Sequence, residues 1–119
     1  MSPQPLFVAA TTSYAVNCAL GASVAVGVVD TRRFRWVHHA LYIATCTLAG
    51  AAAASAVLPA LRPAGPAAAA AARRAALALT PAAVPLVVIP RVSARTARHP
   101  LVALTAAPFL VAGLILSRR

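Results

Sequence analysis

The sequence predicts an all-α, polytopic membrane protein, with four transmembrane helices arranged as two antiparallel hairpins in a single domain over residues 1–119. Three observations predict it. Hydrophobic residues make up 61% of the chain and charged residues only 10%, against about a quarter charged in an ordinary soluble domain. So few polar side chains cannot cover a water-facing surface, and lipid is the solvent for most of this chain. The charges are gathered into short clusters, and the uncharged runs between them approach the length of a bilayer crossing.

The first span runs from about Leu6 to Val29 and is uncharged until Asp30. At ~1.5 Å rise per residue such a helix covers the roughly 30 Å hydrocarbon core with tilt to spare. The polar turn from Asp30 to Arg35 is so short that the second span, about Trp36 to Leu58, must return antiparallel beside the first. Pro59 ends it. Residues 59–74, with Pro59, Pro63, Gly65 and Pro66 ahead of six alanines, read as a Pro/Ala-rich loop leading into a helix start. Pro66 suits a first helical position, where its missing N–H costs nothing.

The third span, about Ala75 to Pro90, is short and is interrupted by Pro81 and Pro85, with Thr80 placed to supply compensating hydrogen bonds. Arg73 and Arg74 can snorkel, which lets the helix begin inside the alanine run. The fourth span, about Leu101 to Leu116, starts after Pro100, contains Pro108 and ends at Ser117. The segments Ala78 to Leu86 and Ala103 to Leu110 share an Ala-Leu-Thr start ahead of a proline. In so Ala-rich a chain, coincidence accounts for that.

All eleven basic residues are arginine, and Asp30 is the only acid, for a net charge of +10. In a soluble protein that balance points to nucleic acid. Here the arginines stand at the ends of apolar segments, where they orient helices and meet anionic lipid headgroups. The expected partner is therefore the bilayer with its anionic headgroups, and nucleic acid is excluded. Ala-rich, Lys-free usage is that of a high-GC coding sequence, which places the chain in a bacterial plasma membrane. The N-terminus has no basic segment ahead of its apolar run, so no cleaved signal is expected. Six arginines (Arg32, Arg33, Arg35, Arg91, Arg95, Arg98) fall on one side of the four-span topology. Five (Arg62, Arg73, Arg74, Arg118, Arg119) fall on the other. The first helix has basic residues only after it, which favours both termini outside.

Near mid-membrane, Ser13, Asn17 and Gly21 recur every four residues along one face of the first helix. With Ala25 on the first helix, and Gly50 and Ala54 on the second, they form a seam of small and polar residues of the kind that lets membrane helices approach. Asn17 is placed to hydrogen-bond Thr45 or Thr47 of the second span, for about 0.6 kcal/mol. Packing is the expected role of this seam, and lining a solute path the rival one. Cys18 and Cys46 fall at comparable depth in the hairpin, which brings a close thiol pair within reach. Buried thiols in apolar surroundings are ordinarily inert. Neither cysteine has the spacing of a disulfide framework or a closed metal site.

His38 and His39 lie just inside the second span and His99 just before the fourth, at one membrane face. His39 and His99 are expected to converge. Facing imidazoles ligate haem iron, and histidine is the commonest metal ligand, although no carboxylate is available to orient these rings. Arg32, Arg33, Arg35 and Trp36 mix cations with an aromatic ring at headgroup level, as an interface anchor requires. Arg91, Arg95 and Arg98 present a second basic face if their stretch is helical.

With no Glu, no Lys and a lone Asp outside the bundle, the chain lacks a carboxylate pair, a Schiff-base lysine and a Ser-His-Asp set. Catalysis is not expected, and no cofactor is required. Asp30 beside Arg32 and Arg33 reads as an ion-paired turn residue. In size and span number the chain is similar to the small multidrug-resistance transporters. That family relies on an intramembrane Glu in its first helix, and the corresponding span here carries no acid. The reading that remains is a non-catalytic accessory or assembly component of the membrane, acting as a homo-oligomer or with a larger partner. Its alternatives are a haem- or metal-binding subunit using His39 and His99, and a small transporter or channel for which Asn17 and the proline-broken helices are the pointers.

Overall fold

The computed structural model describes residues 4–118, so Arg119, counted above for topology, lies outside the described residues. Its helices are α1 (Gln4–Ala25), α2 (Arg35–Ala54), α3 (Pro66–Leu79), α4 (Ala83–Val88), α5 (Arg98–Leu104) and α6 (Ala107–Ser117). Tight 3₁₀ turns at Thr80–Ala82 and Ile89–Arg91 join α3 and α4 into one rod, Pro66–Arg91, and α5 and α6 together make a segment Arg98–Ser117. Four segments of 22, 20, 26 and 20 residues, with mean hydropathy between 1.2 and 2.0, are therefore long and apolar enough to cross a membrane. They pack as an α1–α2 pair and an α3–α6 pair. The long dimension is 48 Å, against about 40–45 Å for a bilayer with its headgroups.

The helix ends depart from a hydropathy reading where backbone chemistry intervenes. α1 stops at Ala25 rather than near Val29 because Gly27 adopts φ +76°, a left-handed conformation that glycine takes without a Cβ clash. The amides of Val28 and Val29 turn back to the Ser23 carbonyl at 3.0 and 3.2 Å. In the next turn the Arg32 amide donates to Asp30 Oδ1 at 2.9 Å, and the guanidinium stands 3.9 Å from the same carboxylate. Both side chains are exposed, so the backbone turn matters more than the ion pair.

Within residues 59–74 the helix start agrees with Pro66 as a first helical position and lies ahead of the expected span boundary at Ala75. The loop ends at Gly65, and the helix starts at Pro66, eight residues before the predicted loop would finish. Alanine has the highest helix propensity of any residue, so the alanine run is the beginning of α3 rather than a linker. Ala71, Ala72, Ala75, Ala76 and Leu79 form one buried face of it. With nothing beyond Cβ, the alanines let α6 approach closely. The fourth span likewise starts at Arg98, taking Pro100 into its first turn, and breaks at Thr105 and Ala106 so that Pro108 falls in the first turn of α6. Leu79 and Ala82, flanking Pro81, share the core with Ala106 and Leu110 around the second break. The two look-alike segments thus interrupt their spans at one level of the bundle.

Phe7 and Leu110 are the largest fully buried apolar side chains, set among alanines of every span. The outer faces are apolar too, with Leu77 71% and Val84 68% exposed. Only 11% of the first span's apolar window is buried within the protein. Such a surface needs lipid or a further apolar partner, and four candidate spans carrying it indicate a multi-pass membrane protein.

Candidate functional site

With no water in the hydrocarbon core, each hydroxyl inside the bundle must find a protein partner. Thr45 donates to the Leu41 carbonyl one turn back at 2.8 Å, which leaves its oxygen to accept from Ser13 of α1, also at 2.8 Å. The Tyr14 hydroxyl donates to the Ala103 carbonyl of α5 at 2.6 Å, and the Thr11 hydroxyl reaches the Leu110 carbonyl of α6 at 3.5 Å. The Tyr42 hydroxyl donates to the Leu86 carbonyl of α4 at 2.7 Å. In a regular helix the Leu86 carbonyl would accept from residue 90, but residue 90 is proline and has no N–H. A tyrosine on another helix thus satisfies the acceptor that Pro90 orphans. Thr80 was expected to compensate for Pro81; its hydroxyl instead donates to the Ala76 carbonyl at 2.8 Å.

The seam residues are placed unequally. Ser13 makes the α1–α2 bond that had been expected of Asn17. Asn17, one turn further along, has its Oδ1 buried without a hydrogen-bond partner among the described residues. Gly21 and Gly50 are not points of close approach, since a Cβ at either would meet nothing within 4 Å. Ala25 is exposed and Ala54 half-buried. The close approach is at Gly113, where an added Cβ would lie 3.2 Å from Phe7 and 3.3 Å from both the Ala75 carbonyl oxygen and Leu79. Hydropathy does not single out a glycine near the end of the last span. The thiols do not share a depth either. With Ser13 opposite Leu41 and Thr45 in an antiparallel pair, Cys18 lies level with His38, and Cys46 lies level with the turn around Ala10. Both are free.

Among the histidines the structure brings His38, rather than His39, beside His99, with ring centroids 6.4 Å apart. His39 stacks edge-on to His38 at 6.3 Å and is exposed. Helical geometry explains the exchange. His38 shares a face with Tyr42 four residues on, and Tyr42 bonds the second hairpin; His39 is rotated by about 100° away from it. His99 Nδ1 lies 3.0 Å from the Val92 carbonyl. That carbonyl can only accept, so it places a proton on Nδ1 and fixes the orientation of the ring. A backbone carbonyl thus does for this ring what no carboxylate of the chain is placed to do. Among the described residues no group of three or more His, Cys, Asp or Glu side chains converges to hold a metal ion.

The basic clusters divide between the two ends of the bundle. Arg32, Arg33, Arg35 and Trp36 are exposed around the first turn. Residues 92–97 form turns rather than a helix, so Arg91, Arg95 and Arg98 do not make a helical face; Arg91 is tied to the Val87 carbonyl at 2.6 Å. At the opposite end Arg62 and Arg73 line one cavity of about 240 Å³ with Ala56, Val57 and Ala69. Their convergence depends on the path of the turn before Pro66, for which the sequence carries no signal. Comparison of the chain with protein-family models, with curated proteins and with solved structures finds no match.

Proposed function

We propose that the protein is a non-catalytic, multi-pass membrane component that works by helix packing, as an accessory or assembly subunit joined to a second copy or to a larger membrane protein. One observation carries this reading: the hydroxyls of Ser13, Tyr14, Tyr42 and Thr45 are engaged in bonds between spans. They rigidify a scaffold whose outer faces remain apolar. Both termini outside the cytoplasm fits the basic residues of the first loop. Chemical cross-linking in native membranes, followed by purification in a mild detergent, is expected to yield a defined homo-oligomer or a stoichiometric membrane partner. A monodisperse, partner-free monomer would sink the reading.

The histidine geometry favours a second reading, a haem- or metal-binding subunit. The observation behind it is the His38–His99 pair with its oriented His99 ring. In that case protein from haem-supplied cells carries a Soret band that His38→Ala and His99→Ala abolish and His39→Ala retains. Colourless protein without bound metal would rule it out.

A further inference from the structure

We infer that the seam between α2 and the third span binds one anionic phospholipid, with its phosphate at Arg62 and Arg73 and an acyl chain in the groove beneath them. This rests on the membrane reading above.

The site begins with helical spacing. Tyr42, Cys46, Gly50 and Ala53 recur every three or four residues along one face of α2. Thr80, Ala83 and Val87 do the same along the third span, and Arg73 lies two helical turns before Thr80 on that face. Two cavities lie along these faces. One, of about 240 Å³, is lined by Arg62 and Arg73. The other, of about 260 Å³, is lined by α2 from Tyr42 to Ala53 and by the third span from Leu79 to Val87. The two segments are antiparallel, so Val57 lies by Arg73 and Tyr42 by Leu86, and the cavities follow one another along a single seam. The Tyr42–Leu86 hydrogen bond, 2.7 Å, closes the far end. From Val57, level with Arg73, to Tyr42 the seam runs about 22 Å at ~1.5 Å per residue, so its closed end lies past the middle of the roughly 30 Å core.

The walls suit hydrocarbon. The hydroxyls of Thr80 and Tyr42 are already bonded, at 2.8 and 2.7 Å. Space beside Gly50 is open, since a Cβ there would meet nothing within 4 Å.

The mouth suits phosphate. Arg62 Nη2 donates to the Val57 carbonyl at 3.3 Å, which holds the guanidinium at the end of α2 while leaving most of its five donors free. The chain's only acid, Asp30, sits in the turn beyond α1, beside Arg32. Among the described residues no side-chain carboxylate therefore competes for the guanidiniums, which bind phosphate oxygens readily. A cavity of 240 Å³ is below the ~300–1,000 Å³ that takes a drug-sized ligand and is of headgroup size. The depth agrees. A span of 26 residues is about 39 Å long and overshoots the hydrocarbon by about 9 Å. With Arg91 held at the opposite boundary, Arg73 lies about 27 Å from it at that rise, within about 3 Å of the near boundary.

The test uses the full chain in mild detergent and native mass spectrometry with phosphatidylglycerol or phosphatidylcholine of identical acyl chains. One phosphatidylglycerol is expected to be retained about thirtyfold over phosphatidylcholine, the factor that two interfacial arginines provide. The double variant R62Q/R73Q should fall to the phosphatidylcholine level. Gly50→Leu should lose both lipids with its helical circular dichroism unchanged. Excess glycerol 3-phosphate should leave the lipid in place. Equal retention of the two lipids, or full retention by R62Q/R73Q, overturns the proposal. Displacement by glycerol 3-phosphate makes free phosphate the ligand and also overturns it. Loss of a dimer rather than of lipid in Gly50→Leu assigns the groove to a second copy. Failure of the membrane reading is distinguishable, because the chain would then partition into the aqueous phase in a detergent phase separation.

Discussion

The Gly113→Leu protein is expected to lose about 3 kcal/mol of stability, the top of the range for an overpacked core, or to fail to assemble its second hairpin. Three neighbours from two other segments crowd the position: Phe7 of α1 at 3.2 Å, and the Ala75 carbonyl oxygen and Leu79 Cβ of α3 at 3.3 Å from an added Cβ. Two of these are fixed to the α3 backbone and cannot rotate aside. Alanine alone requires a shift of a few tenths of an ångström; leucine adds three further carbons where α3 and α6 already touch. Gly21→Leu and Gly50→Leu provide the contrast, because their added side chains enter open space and should change stability by no more than about 0.5 kcal/mol. Reversible unfolding in mixed micelles, followed by circular dichroism, compares the three. Equal shifts for all of them would show that Gly113 is not the closest approach in the bundle.

The second large effect is expected at Phe7, which is 1% exposed and packs against Gly113 from α1. In a water-soluble core Phe→Ala costs about 3–5 kcal/mol, combining lost transfer energy with the cavity left behind. The transfer part nearly vanishes in a bilayer, because a separated helix exposes its phenylalanine to lipid rather than water. The cavity part remains, since the dispersion contacts Phe7 makes in the buried cluster around Gly113 are lost outright. Phe7→Ala should therefore cost roughly 2–3 kcal/mol in micelles. Phe7→Leu, which refills most of the volume, should recover about half or more of it. A loss below about 1 kcal/mol for Phe7→Ala would mean that the bundle collapses around the gap.

Both effects converge on one junction of α1, α3 and α6, and that junction was hidden from a reading of single segments. The first hairpin was legible because two uncharged runs of span length flank a short polar turn. The second was legible in number but not in extent. Its prolines suggested short spans, whereas the bundle keeps each span whole with 3₁₀ turns, first-turn prolines and, at Leu86, a hydroxyl from Tyr42. Among site residues, the histidine face was apparent from spacing. The choice of His38 over His39 followed only once Tyr42 fixed which side of α2 faces the second hairpin. Arg62 and Arg73 had read as topology signals and nothing more, because each is an ordinary interfacial arginine until the turn from Ser55 to Gly65 brings them to one cavity.

Sequence by itself thus determined the fold class, the four segments long and apolar enough to cross a membrane, and a side-chain set without Glu or Lys. These follow from composition and run length, which are additive along a chain and need no partner. Tertiary structure alone decided that the alanine run belongs to a helix core, that Gly113 rather than Gly21 or Gly50 is the point of contact, and which polar groups are satisfied. Those are properties of pairs of residues distant in sequence. In a chain so rich in alanine, many pairings have nearly the same hydropathy, and only packing at a few tenths of an ångström separates them.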